Sequence, residues 1–229
     1  MAWSRGVTRL VGCAAVTLLP AAALAQAPSL LSGVGLSYAH ATATLGDYIG
    51  GGYGVTAAVR IAGRHFGVRL DADFLRFPST TRSRPFLGTG PMVEITTGMR
   101  VFTLAIGPEA HVSAGRFSAG VFGSAGLAQF ANTSSLTGLG DDPRFARSET
   151  FGDLTAAVHG GAVFDLEVGS HVTMELVARY TVTGETGFTR EVNLRYGVLS
   201  GLYMVPTPTR ASFFTLRLGM FFGQALGGS

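Results

Sequence analysis

Phe66-Gly67-Val68-Arg69-Leu70-Asp71-Ala72-Asp73-Phe74 alternates without a break. Side chains along an extended chain point to opposite faces at every step, so Phe66, Val68, Leu70, Ala72 and Phe74 share one face and Arg69, Asp71 and Asp73 the other. The stretch before it does the same, with Tyr53, Val55, Ala57, Val59 and Ile61 on one side. Ala62-Gly63-Arg64-His65 between the two is short and carries a glycine, which makes the pair a β-hairpin.

The pattern recurs along the chain. Val34, Leu36 and Tyr38 precede this hairpin. Leu104, Ile106, Ala110 and Val112 lead through Ser113-Ala114-Gly115-Arg116 into a Gly/Ala-rich run from Phe117 to Phe130. Leu154, Ala156, Val158, Ala162, Phe164 and Leu166 are followed by Val168-Gly169-Ser170 and then by Val172, Met174, Leu176, Ala178, Tyr180 and Val182. The final run is Phe214, Leu216, Leu218, Met220 and Phe222, opposed by Thr215, Arg217 and Gly219. The connections alternate between short ones near 63, 114 and 169 and longer, polar ones near 41–51, 78–92, 131–150 and 183–190.

Residues 1–25 read as an export signal. Arg5 and Arg9 supply the positive end, Leu10 to Leu19 the apolar core, and Ala23-Leu24-Ala25 the small-x-small cleavage site before Gln26. Leu10-Val11-Gly12-Cys13 also matches a lipobox, but the apolar stretch follows Cys13 rather than preceding it, so the lipoprotein reading is set aside. Residues 26–229 then form one domain, since composition shows neither a linker nor a second unit. Its predicted class is all-β, an antiparallel up-and-down transmembrane β-barrel. In lipid every backbone N–H and C=O must be paired, and a closed sheet achieves this without helices.

Composition narrows the chemistry. Cys13 is the only cysteine, so the mature chain has no disulfide, thiolate metal site or cysteine nucleophile. All 17 basic residues are Arg, against 14 acidic residues; with Arg5 and Arg9 removed the formal charge falls from +3 to +1. No basic patch carries interleaved aromatics, and nucleic acid is not an expected partner. Charged residues make up 14% of the chain, low against roughly 25% in soluble domains. A soluble β-sandwich also alternates, but the short-turn, long-loop asymmetry fits a membrane barrel better, with the short turns periplasmic.

Two features disturb an eight-strand count. The apolar parity changes from odd (Val93, Ile95, Met99, Val101) to even (Leu104, Ile106), implying a bulge or an extra turn near Gly98 to Thr103. Val192, Leu194, Tyr196 and Val198 look like a further strand before Pro206 and Pro208. Eight strands with a structured final loop, or ten with both disturbances as turns, keep the count even. Eight is preferred, because ten would put the 131–150 loop on the periplasmic rim.

Phasing sends Arg60, Arg69, Asp71, Asp73, Glu109, His111, Asp153, His159, Asp165, Glu175, Arg179, Arg195 and Arg217 to the interior. In a narrow barrel such charges must pair, so Arg60, Arg69, Asp71, Asp73, Glu175, Arg179 and Arg217 are expected to form an ion-pair ladder; the alternative is a polar lining for a narrow pore. The 131–150 connection, with Asp141, Asp142, Arg144, Arg147 and Glu149, is the candidate extracellular binding loop. Tyr38, Tyr48, Tyr53, Phe66, Phe74, Phe77, Phe117, Phe130, Tyr180 and Phe222 fall near segment ends, as interfacial girdles require. His40, His65, His111, His159 and His171 show no metal-ligand spacing, and neither Gly50-Gly51-Gly52 nor Gly88-Thr89-Gly90 has the context of a phosphate-binding loop, so no metal or cofactor is expected.

Arg217, Gly219, Met220 and Phe222 resemble the terminal segment recognised by the barrel-assembly machinery, although Gly223 to Ser229 run on past the aromatic. With the length and hairpin pattern, the mature chain resembles the small bacterial outer-membrane β-barrel proteins of the OmpA-like and OmpX-like type. The resemblance implies the fold and the outer membrane as location rather than an activity; outer-membrane lipid as surroundings, the assembly machinery as a partner during biogenesis and a monomeric state are expected alongside it. His111-Val112-Ser113 also resembles the base and nucleophile of the lipid A deacylase family. The match is confined to those residues, Ala114 stands where that family has Asn, and the site falls at the periplasmic rim. Glu109, His111 and Ser113 are therefore read as a polar cluster beside a turn, and no enzyme is expected.

The expected role is structural, surface contact or binding through loops, with a narrow channel or solute carrier as the alternative and a lipid hydrolase as a remote third. Nothing in the residues specifies the extracellular ligand.

Overall fold

A computed structural model describes residues 29–46, 49–85, 92–138, 147–197 and 201–225. Eight antiparallel strands close into one barrel: β1 Ser29–Thr42, β2 Gly51–Ala62, β3 Phe66–Pro85, β4 Met92–Ala114, β5 Phe117–Gly138, β6 Arg147–Gly169, β7 Val172–Gly197 and β8 Gly201–Ala225. Each strand pairs with its sequence neighbours, and β1 meets β8 from Ser29↔Ala225 to Thr42↔Ser212, which closes the sheet. The even count leaves both ends of the sheet on the short-turn rim, and the ten-strand alternative is overturned. The predicted signal, residues 1–25, lies outside the described residues.

The outer wall is apolar in a band. Val34, Leu36, Val55, Ile106, Leu154, Val158 and Leu218 are exposed, and each sits at the parity that the alternation assigned to lipid. On most strands this band runs over about 9–11 residues, the length a tilted strand needs to cross a membrane. Tyr38, Tyr53, Phe74 and Tyr180 mark its loop-side edge, and Phe66, Phe117 and Phe222 its turn-side edge. Phe77 and Phe130, predicted to join the girdles, instead point inward and are fully buried. They lie past the lipid band, where an apolar side chain gains more inside than in water. Tyr48 lies outside the described residues.

The short turns are tight. Gly115 has φ of +62°, the left-handed region that a two-residue hairpin turn requires and that only glycine enters at little cost. At the other rim the strands run further than alternation suggests. β3 to β8 have 20–26 residues, which at a tilt of about 40° corresponds to roughly 50 Å or more along the membrane normal, twice the apolar band of about 25 Å. Most of the stretches 78–92, 131–150 and 183–190, read from sequence as loops, are therefore paired strand.

Both disturbances of the strand count have local causes. β4 is continuous through Gly98 to Thr103; the irregularity lies across from it, where β3 inserts Pro78 and Ser79 between Phe77↔Met99 and Thr80↔Thr97. Met99 and Val101 are apolar because they face an apolar layer inside the barrel, so no parity change takes place. Val192 to Gly197 belong to the far end of β7, paired with the start of β8 from Leu194↔Met204 to Gly197↔Gly201. There β8 has no β1 partner, since β1 ends at Thr42↔Ser212, and an edge segment tolerates Pro206 and Pro208.

Candidate functional site: the filled lumen

All the charged residues phased inward whose side chains the structure describes do face the interior; Arg195 lies outside that set. From the short-turn rim upward the interior is layered. At the rim a cavity of about 280 Å³ is lined by Arg60, His111, Ser113, Asp165, Glu167 and His171, among others. His111 Nδ1 lies 3.9 Å from Glu109 Oε1, but that oxygen accepts from Arg60, and among the described residues no hydrogen bond joins His111 to Ser113.

Above the rim lies the charged layer. Arg60 Nη1 donates to Glu109 and to Asp165, both at 2.8 Å. Arg69 donates through Nε to Asp71 at 2.8 Å, through Nη1 to Glu109 at 3.2 Å, and through Nη1 and Nη2 to Glu175 at 2.9 Å each. Arg217 bridges Asp71 at 2.8 Å and also bonds Glu175. Arg179 Nη1 reaches Asp73 at 2.8 Å, and Asp73 also accepts from Thr56 at 2.6 Å and Thr103 at 2.9 Å. Four arginines from β2, β3, β7 and β8 thus meet five carboxylates from β3, β4, β6 and β7. All seven residues of the expected ladder lie within this network, together with Glu109 and Asp165. Every arginine in it is at most 4% exposed, so its hydrogen bonds replace water rather than supplement it.

Two parts of the layer were invisible in the sequence. Arg60 sits 5.3 Å from the centroid of the Phe221 ring and Arg69 5.1 Å from that of Phe122, cation–π contacts beside the ion pairs. Glycine stands beside each ring and close to the neighbouring backbone: a Cβ at Gly33 would lie 2.5 Å from the Met220 carbonyl oxygen and 2.7 Å from Phe221, and one at Gly161 would lie closer still to the Ala178 carbonyl oxygen and 2.9 Å from Phe122. Spacing shows an inward Gly and an inward Phe, but not that they meet across strands. Gly161→Val is therefore expected to lower barrel stability by about 1–3 kcal/mol through overpacking, read as a lower urea midpoint in lipid vesicles. Gly160→Val, where a Cβ meets nothing within 4 Å, is expected to leave it unchanged.

Higher still the lumen turns apolar. Leu75, Phe77, Met99, Val101, Phe130 and Phe213 pack with Ala39, Ala41, Ala128, Ala157 and Ala211. The connection after β1 completes this layer. Helix α1, Ala43–Gly46, folds back so that Leu45 and then Ile49, at 1% and 2% exposure, join the cluster, with Ile49 N–H donating to Leu45 C=O at 3.0 Å. Leu45 and Ile49 were missed because they lie in a loop by pattern; Phe77 and Met99 could have been found, since they continue the inward parity of Asp73 and Thr103.

The family model of the outer membrane protein β-barrel domain matches residues 11–199, most of the chain. The chain belongs to this family. It is an outer-membrane β-barrel, and the bacterial outer membrane is the membrane its apolar band crosses. The comparison with curated proteins gave no match. Among solved structures, this barrel is similar to Ail, the attachment invasion locus protein of Yersinia pestis, at 12% identity and a TM-score of 0.50, over 86% of this chain and 99% of that one. Neisserial surface protein A aligns at 12% identity and a TM-score of 0.44, over 84% and 96%. These likenesses concern the fold alone.

Of the candidate binding-loop residues, Asp141, Asp142 and Arg144 lie outside the described residues. Arg147 and Glu149 belong to β6, paired with Leu136 and Ser134 of β5, so they stand on the wall of a hairpin rather than in a free loop.

Proposed function

We propose that this outer-membrane barrel is a closed stand that carries binding segments above the membrane, and that it neither conducts solutes nor catalyses a reaction. The single observation behind this reading is the division of the molecule along its axis. The interior is filled by a buried ion-pair layer, in which each of the four arginines bonds at least one carboxylate, and by an apolar layer capped by Leu45 and Ile49, while six of the eight strands continue far beyond the lipid band. A pore needs charges that face water, and here the arginines are spent on carboxylates. Long paired strands make a rigid stand above the membrane, and segments joined to such a scaffold are where recognition residues concentrate.

The tip between β5 and β6, with Asp141, Asp142 and Arg144 and the adjoining Arg147 and Glu149, is the segment proposed to make contact. Cells displaying the wild-type chain are expected to be retained on at least one of a panel of protein- and polysaccharide-coated surfaces, and cells whose residues 139–146 are replaced by a Gly/Ser tract to be retained several-fold less on that surface, with unchanged heat-modifiable migration. Equal retention by both would remove this tip from the proposal.

A further inference from the structure

One feature of the outer wall is at odds with sheet energetics. Arg76 of β3 and Arg100 of β4 are directly opposed, both exposed on the outer face. Opposed residues hold their Cβ atoms about 5 Å apart, and like charges there repel. The row around them offers no relief: Tyr53 pairs Arg76 and Ala131 pairs Arg100 on the flanking strands. Neither arginine has a partner among the described residues.

Their height is informative. Phe74↔Phe102, the next outward pair below, closes the apolar band on the loop side, so the two guanidinium groups stand one step above the hydrocarbon, level with lipid headgroups. In the same sector of the wall and lower down, an apolar notch of about 350 Å³ opens toward lipid, where Ser32, Ala57 and Ala72 are small between Val34, Val59 and Leu70. Ala72 is four residues below Arg76 on β3, about 13 Å along the strand, the separation between a headgroup and the middle of its acyl chains.

We infer that Arg76 and Arg100 clamp a phosphate of an outer-leaflet lipid whose acyl chain lies in the notch formed by Ala57 and Ala72. The occupant is a phosphorylated glycolipid of the lipid A kind. Its phosphate accepts from both guanidinium groups and cancels their repulsion, and its chain fills the space that small side chains leave. The inference needs only the barrel in its membrane and is independent of what the hairpin tips contact.

The test is native mass spectrometry of the full chain in detergent, offered bis-phosphorylated lipid A, the same lipid stripped of its phosphates, or inorganic phosphate. The wild type is expected to retain one lipid A, to retain the stripped lipid at least about tenfold less, and to hold no inorganic phosphate. Arg76→Gln/Arg100→Gln is expected to lose the same factor while keeping heat-modifiable migration, and Ala57→Leu/Ala72→Leu to weaken lipid A by filling the notch. Undiminished binding of the stripped lipid by the wild type, undiminished binding of lipid A by the folded arginine variant, or displacement of lipid A by inorganic phosphate would each overturn the assignment.

Discussion

Arg69→Met is expected to destabilise the barrel by about 3–5 kcal/mol, the cost of breaking a buried ion pair from one side. Arg69 is 1% exposed, and its guanidinium serves Asp71, Glu109 and Glu175 at once. Removing it leaves three buried carboxylates with Arg60 and Arg217 alone to answer them. Methionine fills much of the stem volume, so the loss is chiefly electrostatic. The measurement is urea-induced unfolding of protein refolded into lipid vesicles, followed by the gel shift between folded and heat-unfolded bands. The double variant Arg69→Met/Glu175→Leu removes one charge of each sign and is expected to recover at least about 1 kcal/mol of the single variant's loss. A single variant within about 1 kcal/mol of wild type would mean that the layer is wetter than its burial indicates.

Phe213→Ala is the second large effect, again about 3–5 kcal/mol, and it probes the apolar layer. The Phe213 ring is fully buried and meets Phe77 edge-on, with centroids 6.2 Å apart and planes at 68°. Its loss opens a cavity among Met99, Phe130, Leu45 and Ile49 that a closed sheet has little freedom to collapse. Phe214→Ala, one residue along but facing lipid, is expected to cost less, because lipid tails fill what the ring leaves. If the two variants cost the same, Phe213 does not sit in a packed interior.

The band in the lipid was legible and the rest less so, for a physical reason. Alternation of apolar and polar residues reports a strand with lipid on one side and polar groups on the other, and from Phe66 to Phe74 or from Phe214 to Phe222 that condition holds. Beyond the band the strand continues, held by the same backbone hydrogen bonds, but its outer face meets water. Thr80, Thr97, Thr133 and Ser135 then look like loop residues although they are paired in the sheet.

The ladder was legible for a related reason: a charge at inward parity in a narrow barrel has few options besides a partner. Which charge meets which depends on contacts between strands distant in the chain. Arg69 with Glu175 and Arg179 with Asp73 are each 106 residues apart, and no spacing rule links them. The inward turn of Leu45 and Ile49 was hidden for the same reason, since only the closed wall shows that there is a mouth for them to fill.

The central claim is that the lumen is filled, and planar-bilayer conductance tests it most directly. Purified wild-type protein inserted into the bilayer is expected to give no resolvable unitary current, and Arg179→Ala, which removes one arm of the ion-pair layer while leaving Phe213, Leu45 and Ile49 above it, none either. A sustained ohmic conductance from the wild type, altered by Arg69→Ala, Asp71→Ala or Arg179→Ala, would contradict the account and make the inward charges the lining of a pore.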